Sequence, residues 1–264
     1  MIFDTHSHLH FDDFLDIEKE ISTMNEFDVT QSCLIWSDFE STSSAIKLAS
    51  KYDFFHVAAW IWHPIEAFRS INLDQETKII DDLISQNKNS IVAIWEAGLD
   101  YFHLRPWFES SDKYSQFAVF ERNAFLANKY SLPVIIHTRD AWDDIYNLLS
   151  DYALKKFVVH CYTWDYEQAK RFLDYSDDAY IWFSWIVTFK NAPWVQDAAK
   201  YIPIERLLVE TDAPYLAPAP HRWKLNTSWY TKFVLDKIKE LRSEDPNFIE
   251  KTIFENSLRF YWLS

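Results

Sequence analysis

The chain has 264 residues, 48% of them hydrophobic, and a formal net charge of −14 at pH 7. That is enough apolar material for a full core, in one α/β barrel or sandwich at least as readily as in two small domains, and we expect a single domain over residues 1–264. The acidic balance argues against an extended nucleic-acid-binding face, whose affinity comes from Lys and Arg neutralising phosphates, but not against a short strand end held through bound cations, which supply positive charge locally.

From the N-terminus, short apolar runs rich in β-branched and aromatic residues alternate with stretches whose apolar residues recur at helical spacing. The runs are IFDTHSH (2–8), SCLIWSD (32–38), FHVAAWIW (55–62), SIVAIWEAG (90–98), LPVIIHT (132–138), KFVVHCY (156–162), AYIWFSW (179–185) and RLLVETD (206–212). Helical stretches fall between them at 42–52, 73–88, 115–130, 141–155, 165–175 and 192–202, and two terminal helices are expected from Tyr230 to Phe260. Eight continuous apolar strands alternating with helices describe a parallel sheet covered on its outside, and eight is the number that closes a barrel. The expected fold is therefore α/β, a (β/α)8 TIM barrel with its site at the C-terminal ends of the strands. No run approaches the roughly 18 uninterrupted apolar residues of a membrane span, and no basic-then-apolar leader opens the chain. Cys33 and Cys161 lie in separate apolar runs and read as buried free thiols. The expectation is a cytoplasmic protein with no membrane partner.

The polar residues that interrupt the runs cluster at their C-terminal ends. His6 and His8, two apart on the first strand, share a face; taken alone, such a pair is better explained by packed or exposed histidines than by a metal site. Glu96 ends the fourth run, His137 the fifth, His160 the sixth and Asp212 the eighth. Five strands each placing a ligand-type side chain on one rim is a poor accident, and three imidazole strands with Glu and Asp suffice for two divalent cations sharing Glu96. Asp212 is a candidate to orient or deprotonate an attacking water, or a ligand only. Arg139, His221, Arg222 and Lys224 are candidates for phosphate oxygens. Glu210 shares a strand face with Asp212, as a hydrogen-bond partner of a ligand or as one half of a buried ion pair.

The segments DTHSHL (4–9), WIWHP (60–64), EAGLDYF (96–102), PVIIHTRDA (133–141), HCYTWDYEQAKRFLD (160–174), LLVETDAPYLAP (207–218) and HRWKLN (221–226) span the chain. Together they resemble the TatD family of metal-dependent deoxyribonucleases, within the amidohydrolase-like barrels. The resemblance implies one cation on His6, His8 and Asp212, a second on His137 and His160, and Glu96 between them as bridging ligand and catalytic residue. It also implies His63 as a substrate or supporting contact, with a structural role as the alternative. His10 stands where the family commonly has Asp. The implied activity is two-metal hydrolysis of DNA phosphodiester bonds, in the 3′-to-5′ direction and on single-stranded ends. Imidazole-rich ligation suits Zn or Mn, whereas the family is associated with Mg. An ester or amide hydrolase on the same centre, such as an aminoacyl-tRNA deacylase, is the alternative enzyme, and a decayed, non-catalytic barrel the alternative from another class.

Composition holds one anomaly. The chain has 13 Trp and one Gly, where average usage predicts about 18 glycines. Trp36, Trp60, Trp95, Trp164, Trp182, Trp185, Trp223 and Trp262 all stand where the TatD pattern has glycine. Overpacking at about 1–3 kcal/mol each would total roughly 8–24 kcal/mol, against a domain stability of about 5–15 kcal/mol. A source that reads UGA as glycine, its gene translated with UGA as tryptophan, accounts for all eight at once; deliberate removal of glycine by design is the alternative, although a designer would rarely choose the largest side chain. TGA codons at these positions and TGG at the other tryptophans are the expected outcome; TGG throughout refutes the reassignment.

Overall fold

The computed structural model describes residues 1–35, 39–59, 61–69 and 72–263. Eight strands follow one another in chain order around a single parallel sheet: β1 (Ile2–Ser7), β2 (Val29–Ile35), β3 (Phe55–Ala59), β4 (Ile91–Asp100), β5 (Val134–Arg139), β6 (Phe157–Val159), β7 (Ala179–Phe183) and β8 (Leu207–Val209). The connecting helices are α1 (Ile17–Glu26), α2 (Phe39–Lys51), α3 (Leu73–Gln86), α4 (Glu109–Tyr130), α5 (Trp142–Asp151), α6 (Tyr166–Tyr175) and α7 (Pro193–Tyr201), with α8 (Thr231–Leu241) and α9 (Pro246–Phe260) at the end. The strands are buried on both faces, as a barrel lined inside by side chains and covered outside by helices requires. Local chemistry starts several helices: Asp16, Asn72 and Asp165 each accept a hydrogen bond from the backbone N–H three residues on. Asp245 does the same for α9, with Pro246 pre-set in its first turn.

The ring closes between β1 and the residues just beyond β8. Asp212 N donates to His6 O at 3.0 Å and His8 N to Ala213 O at 2.8 Å. Buried Asp4 reinforces this seam, accepting from Thr211 N (2.9 Å), Thr211 Oγ1 (2.7 Å) and Ser228 Oγ (2.6 Å). Burial raises its carboxyl to about 7 in spite of those donors.

Three departures from the expected elements shape the rim. The sixth and eighth runs leave the ladder early, at Val159 and Val209, and the chain then turns through left-handed backbone at Cys161 (φ 44°) and Asp212 (φ 61°). Left-handed conformations of non-glycine residues concentrate at functional sites, and here one falls on Asp212 and the other directly follows His160. Between β4 and β5 the register passes from Ile94↔Val134 to Ala97↔Ile136. The extra residue on β4 is a bulge at Trp95 and Glu96, a device that re-aims a side chain. Finally, α4 begins at Glu109, six residues earlier than expected, where Asp112 binds Arg105 through a 2.6 Å contact.

Trp36 and Trp60 lie outside the described residues. Trp95 and Trp182 are buried in β4 and β7, and the indole N–H groups of Trp182 and Trp185 are buried without an acceptor among the described residues. Trp164 packs on Trp142 (ring centroids 4.8 Å apart) and Trp223 is 93% exposed. Trp262 caps α9 in the left-handed region, at φ 58°, the commonest glycine position at a helix end. Trp107, which the sequence comparison passes over, has the same kind of backbone at φ 72°.

Candidate metal centre

At the C-terminal ends of the strands the sequence-predicted ligands converge in two neighbouring groups. In the first, His6 Nε2 from β1 lies 3.3 Å from His8 Nε2 and 3.2 Å from Asp212 Oδ1, which is 3.8 Å from His8 Nε2. In the second, the Glu96 carboxylate gathers three imidazoles: His137 Nδ1 at 2.6 Å and His160 Nε2 at 2.7 Å from Oε1, and His63 Nε2 at 3.0 Å from Oε2. His137 Nδ1 and His160 Nε2 are themselves 3.2 Å apart. Behind both groups, buried Glu210 accepts from Cys161 N (2.6 Å), with Oε2 3.1 Å from His6 Nδ1 and Oε1 3.9 Å from His160 Nδ1.

Electrostatics mark the cluster as unusual. Burial alone would raise the Glu96 carboxyl, but His63, His137 and His160 outweigh it and hold it well below the usual range. Burial likewise opposes charging His137, yet Glu96 and Asp100 raise that imidazole to about 9. Burial lifts Glu210 to about 8 in spite of His160 and the Cys161 N–H, and keeps His6 well below the ordinary histidine value in spite of Asp212 and Glu96.

The donor set fits divalent cations. Ring nitrogens face one another at 3.2–3.3 Å, His6 Nε2 on His8 Nε2 and His137 Nδ1 on His160 Nε2, so each pair can share a single proton at most and crowds lone pairs toward the same space. Two of the residue trios whose ligand atoms lie within 4.8 Å of one another are His6–His8–Asp212 and His63–Glu96–His137. A divalent cation held there would take up those lone pairs, with His137 binding it as the neutral imidazole.

The groups open onto a cavity of about 790 Å³, with His8, His63, Glu96, His137, His160 and Asp212 at its base and Arg139, Trp164, Trp185 and Tyr215 among its walls. Arg139 is thus where the sequence predicts it. His221, Arg222 and Lys224 do not line the cavity: His221 stacks on Tyr230 (4.6 Å between centroids, 9° between planes) and the Arg222 guanidinium lies over Phe189. His63, expected as a substrate or supporting contact, touches Glu96 directly, with Nε2 3.0 Å from Oε2.

Sequence reasoning passed over Asp100. Its buried carboxylate lies 3.1 Å from His137 Nε2, on the side of the ring away from Glu96, and 2.8 Å from His103 Nδ1. The signal was available: two-residue alternation counted from Glu96 puts residues 96, 98 and 100 on one face of β4.

The fold and the converging imidazoles and carboxylates define the class, a (β/α)8 barrel with a histidine–carboxylate centre at the C-terminal rim. The chain belongs to the TatD family: the model for TatD related DNase matches residues 3–262. Among curated relatives, it is 34% identical over 264 residues to an uncharacterized metal-dependent hydrolase of Bacillus subtilis, YabD, covering 99% of each chain. It is 30% identical over 265 residues to MG009 of Mycoplasma genitalium, which carries the same description, covering 98% of each. Among solved structures, a TatD homolog from Escherichia coli, YJJV, matches with a TM-score of 0.89 at 24% identity over 100% of this chain and 98% of that one. A TatD family hydrolase from Entamoeba histolytica matches at 0.86 and 20% identity, with the same coverage. Both structures share the barrel.

Proposed function

We propose that the chain is a divalent-metal-dependent hydrolase that cleaves DNA phosphodiester bonds, shortening single strands from the 3′ end. The observation that carries this reading is the convergence of His63, His137 and His160 on the single carboxylate of Glu96, beside His6, His8 and Asp212. In this reading His6, His8 and Asp212 hold one cation, and His137 and His160, joined by His63, hold a second, with Glu96 shared between them. Bound there, Mg, Mn or Zn would acidify a water and stabilise the charge that develops on the attacking and leaving oxygens. The protein's own groups do the rest. Asp212, whose side chain keeps 20% exposure, orients the attacking water and takes its proton. Asp100, hydrogen-bonded to His137 Nε2, holds that ring in the orientation that turns Nδ1 toward the centre, and the Glu210 carboxylate stands 3.1 Å behind His6 Nδ1, on the side of the ring away from the centre. Arg139 alone among the predicted phosphate contacts lines the cavity, and the role is kept for it. The family of the chain and the description of its relatives as metal-dependent hydrolases support the reading. Among the described residues no helix is long and apolar enough to cross a membrane, and the two free cysteines favour a reducing cytoplasm.

The test is a 5′-labelled single-stranded DNA incubated with Mg or Mn and the protein, beside Glu96→Ala. A ladder shortening from the 3′ end, absent with the variant, is the expected result. An intact strand in the presence of protein with bound metal refutes the nuclease reading and favours an acyl ester or amide as substrate.

A further inference from the structure

Three segments leave the centre and meet again on its rim. β4 carries Glu96 and, two residues after its end, Phe102; the 3-10 turn Pro64–Arg69 starts directly after His63 and carries Phe68. β5 carries His137 and ends at Arg139, opposite Asp100 in register, with Tyr101 N donating to Arg139 O at 2.8 Å. The loop after β4, which carries Phe102 and Arg105, forms two guanidinium–ring contacts with these segments. The Arg139 Cζ lies 3.8 Å from the centroid of Phe102, and the Arg105 Cζ 3.9 Å from that of Phe68 and 5.1 Å from that of Phe108. Arg105 is locked by Asp112. The rings are nonetheless open to solvent: Phe102 is 59% exposed, Phe108 56% and Phe68 37%. Exposed rings on neighbouring rim segments beside a cavity are candidates for an interaction surface.

We propose that Phe102 and Phe68, with Arg139 and Arg105 stacked on them, form a lane beside the metal centre that takes the unpaired bases of a single-stranded DNA by stacking. The proposal rests on the nuclease reading and names what selects the strand. Every base has a π face, so stacking on rings and guanidinium planes tolerates any sequence. A duplex keeps those faces occupied, so the lane discriminates against it. The occupant also suits the charge. A chain of net charge −14 gains little from a long run of phosphates, whereas stacking needs no basic field, and Arg139 both lines the cavity and covers Phe102. Affinity should therefore depend on the bases and only weakly on salt.

The experiment measures fluorescence anisotropy of a 5′-labelled ten-nucleotide strand, with phosphorothioate linkages to prevent cleavage, against an abasic strand of the same length and backbone. Both are titrated with the metal-loaded protein and with its Phe68→Ala/Phe102→Ala variant, whose melting midpoint and bound-metal content serve as folding controls. The unaltered protein is expected to prefer the base-bearing strand by about tenfold per ring, and the variant to bind both strands alike. Equal binding of the two strands by the unaltered protein overturns the lane, as does a variant that keeps the preference. If the unaltered protein hydrolyses no DNA yet shows a base preference that the variant loses, the nuclease reading fails and the lane stands.

Discussion

Gly98→Ala isolates how the fold sets the geometry of the centre. Gly98 pairs with His137 across β4 and β5, and a Cβ built on it would lie 2.0 Å from the His137 carbonyl oxygen and 2.8 Å from its carbonyl carbon, where ordinary contact begins at 3.4 Å. The obstructing atoms belong to a backbone inside a closed barrel, so no side-chain rotation relieves them; the strands must part locally by about 1.4 Å. Overpacking of this kind costs about 1–3 kcal/mol, and a backbone obstacle argues for the upper end. For a chain of this size about 3 kcal/mol lowers the melting midpoint by about 6–12 °C. The displacement also carries His137 away from Glu96, now 2.6 Å distant. Misplacement of about 1 Å at a reacting centre costs on the order of a hundredfold, and a loss of similar size is expected in cation affinity. Calorimetric unfolding and titration with Mn on the same samples check both. A variant that melts and binds Mn like the unaltered protein would refute the reasoning.

Further outcomes follow from single residues. Asp100→Asn removes the carboxylate that orients His137 and should weaken cation binding about 10–100-fold while leaving the melting midpoint of the metal-free protein within a few degrees; equal Mn affinity would assign Asp100 to packing alone. Trp262→Gly relieves left-handed backbone at φ 58° and should stabilise the chain by about 1–2 kcal/mol, read as a higher melting midpoint; an unchanged or lower one would favour a true tryptophan there. Burial, beneath the Trp262 ring, lowers the Lys156 ammonium from 10.5 to about 8. Between those values the unfolded chain holds more protons at this site than the folded one, so its contribution to stability rises with pH over that window and is flat below about 8. The difference in unfolding free energy between the unaltered protein and Lys156→Gln, followed from pH 7 to 10.5, should show that rise; a pH-independent difference would place the lysine in water.

The alternation of apolar strands and helices, their number, and the placement of His6, His8, Glu96, His137, His160 and Asp212 at strand ends were legible in the sequence, because each is a property of residues near one another in the chain. Apolar continuity and helical period are local, and a polar residue ending such a run reports the rim directly. The glycine deficit was visible in the same way, although the left-handed backbone at Trp262 and Trp107 and the unpartnered indoles of Trp182 and Trp185 emerge only from the folded chain. Tertiary structure decided the bulge that aims Glu96, the early ends of β6 and β8, the approach of His63 to Glu96 and the position of Asp100 behind His137. It also moved His221, Arg222 and Lys224 off the cavity that their place after the eighth run implied. These features depend on where segments dozens of residues apart meet and on single left-handed or bulged residues that redirect the chain. Periodicity carries no record of either, so the sequence determined which groups reach the rim and only the closed barrel decided which of them touch.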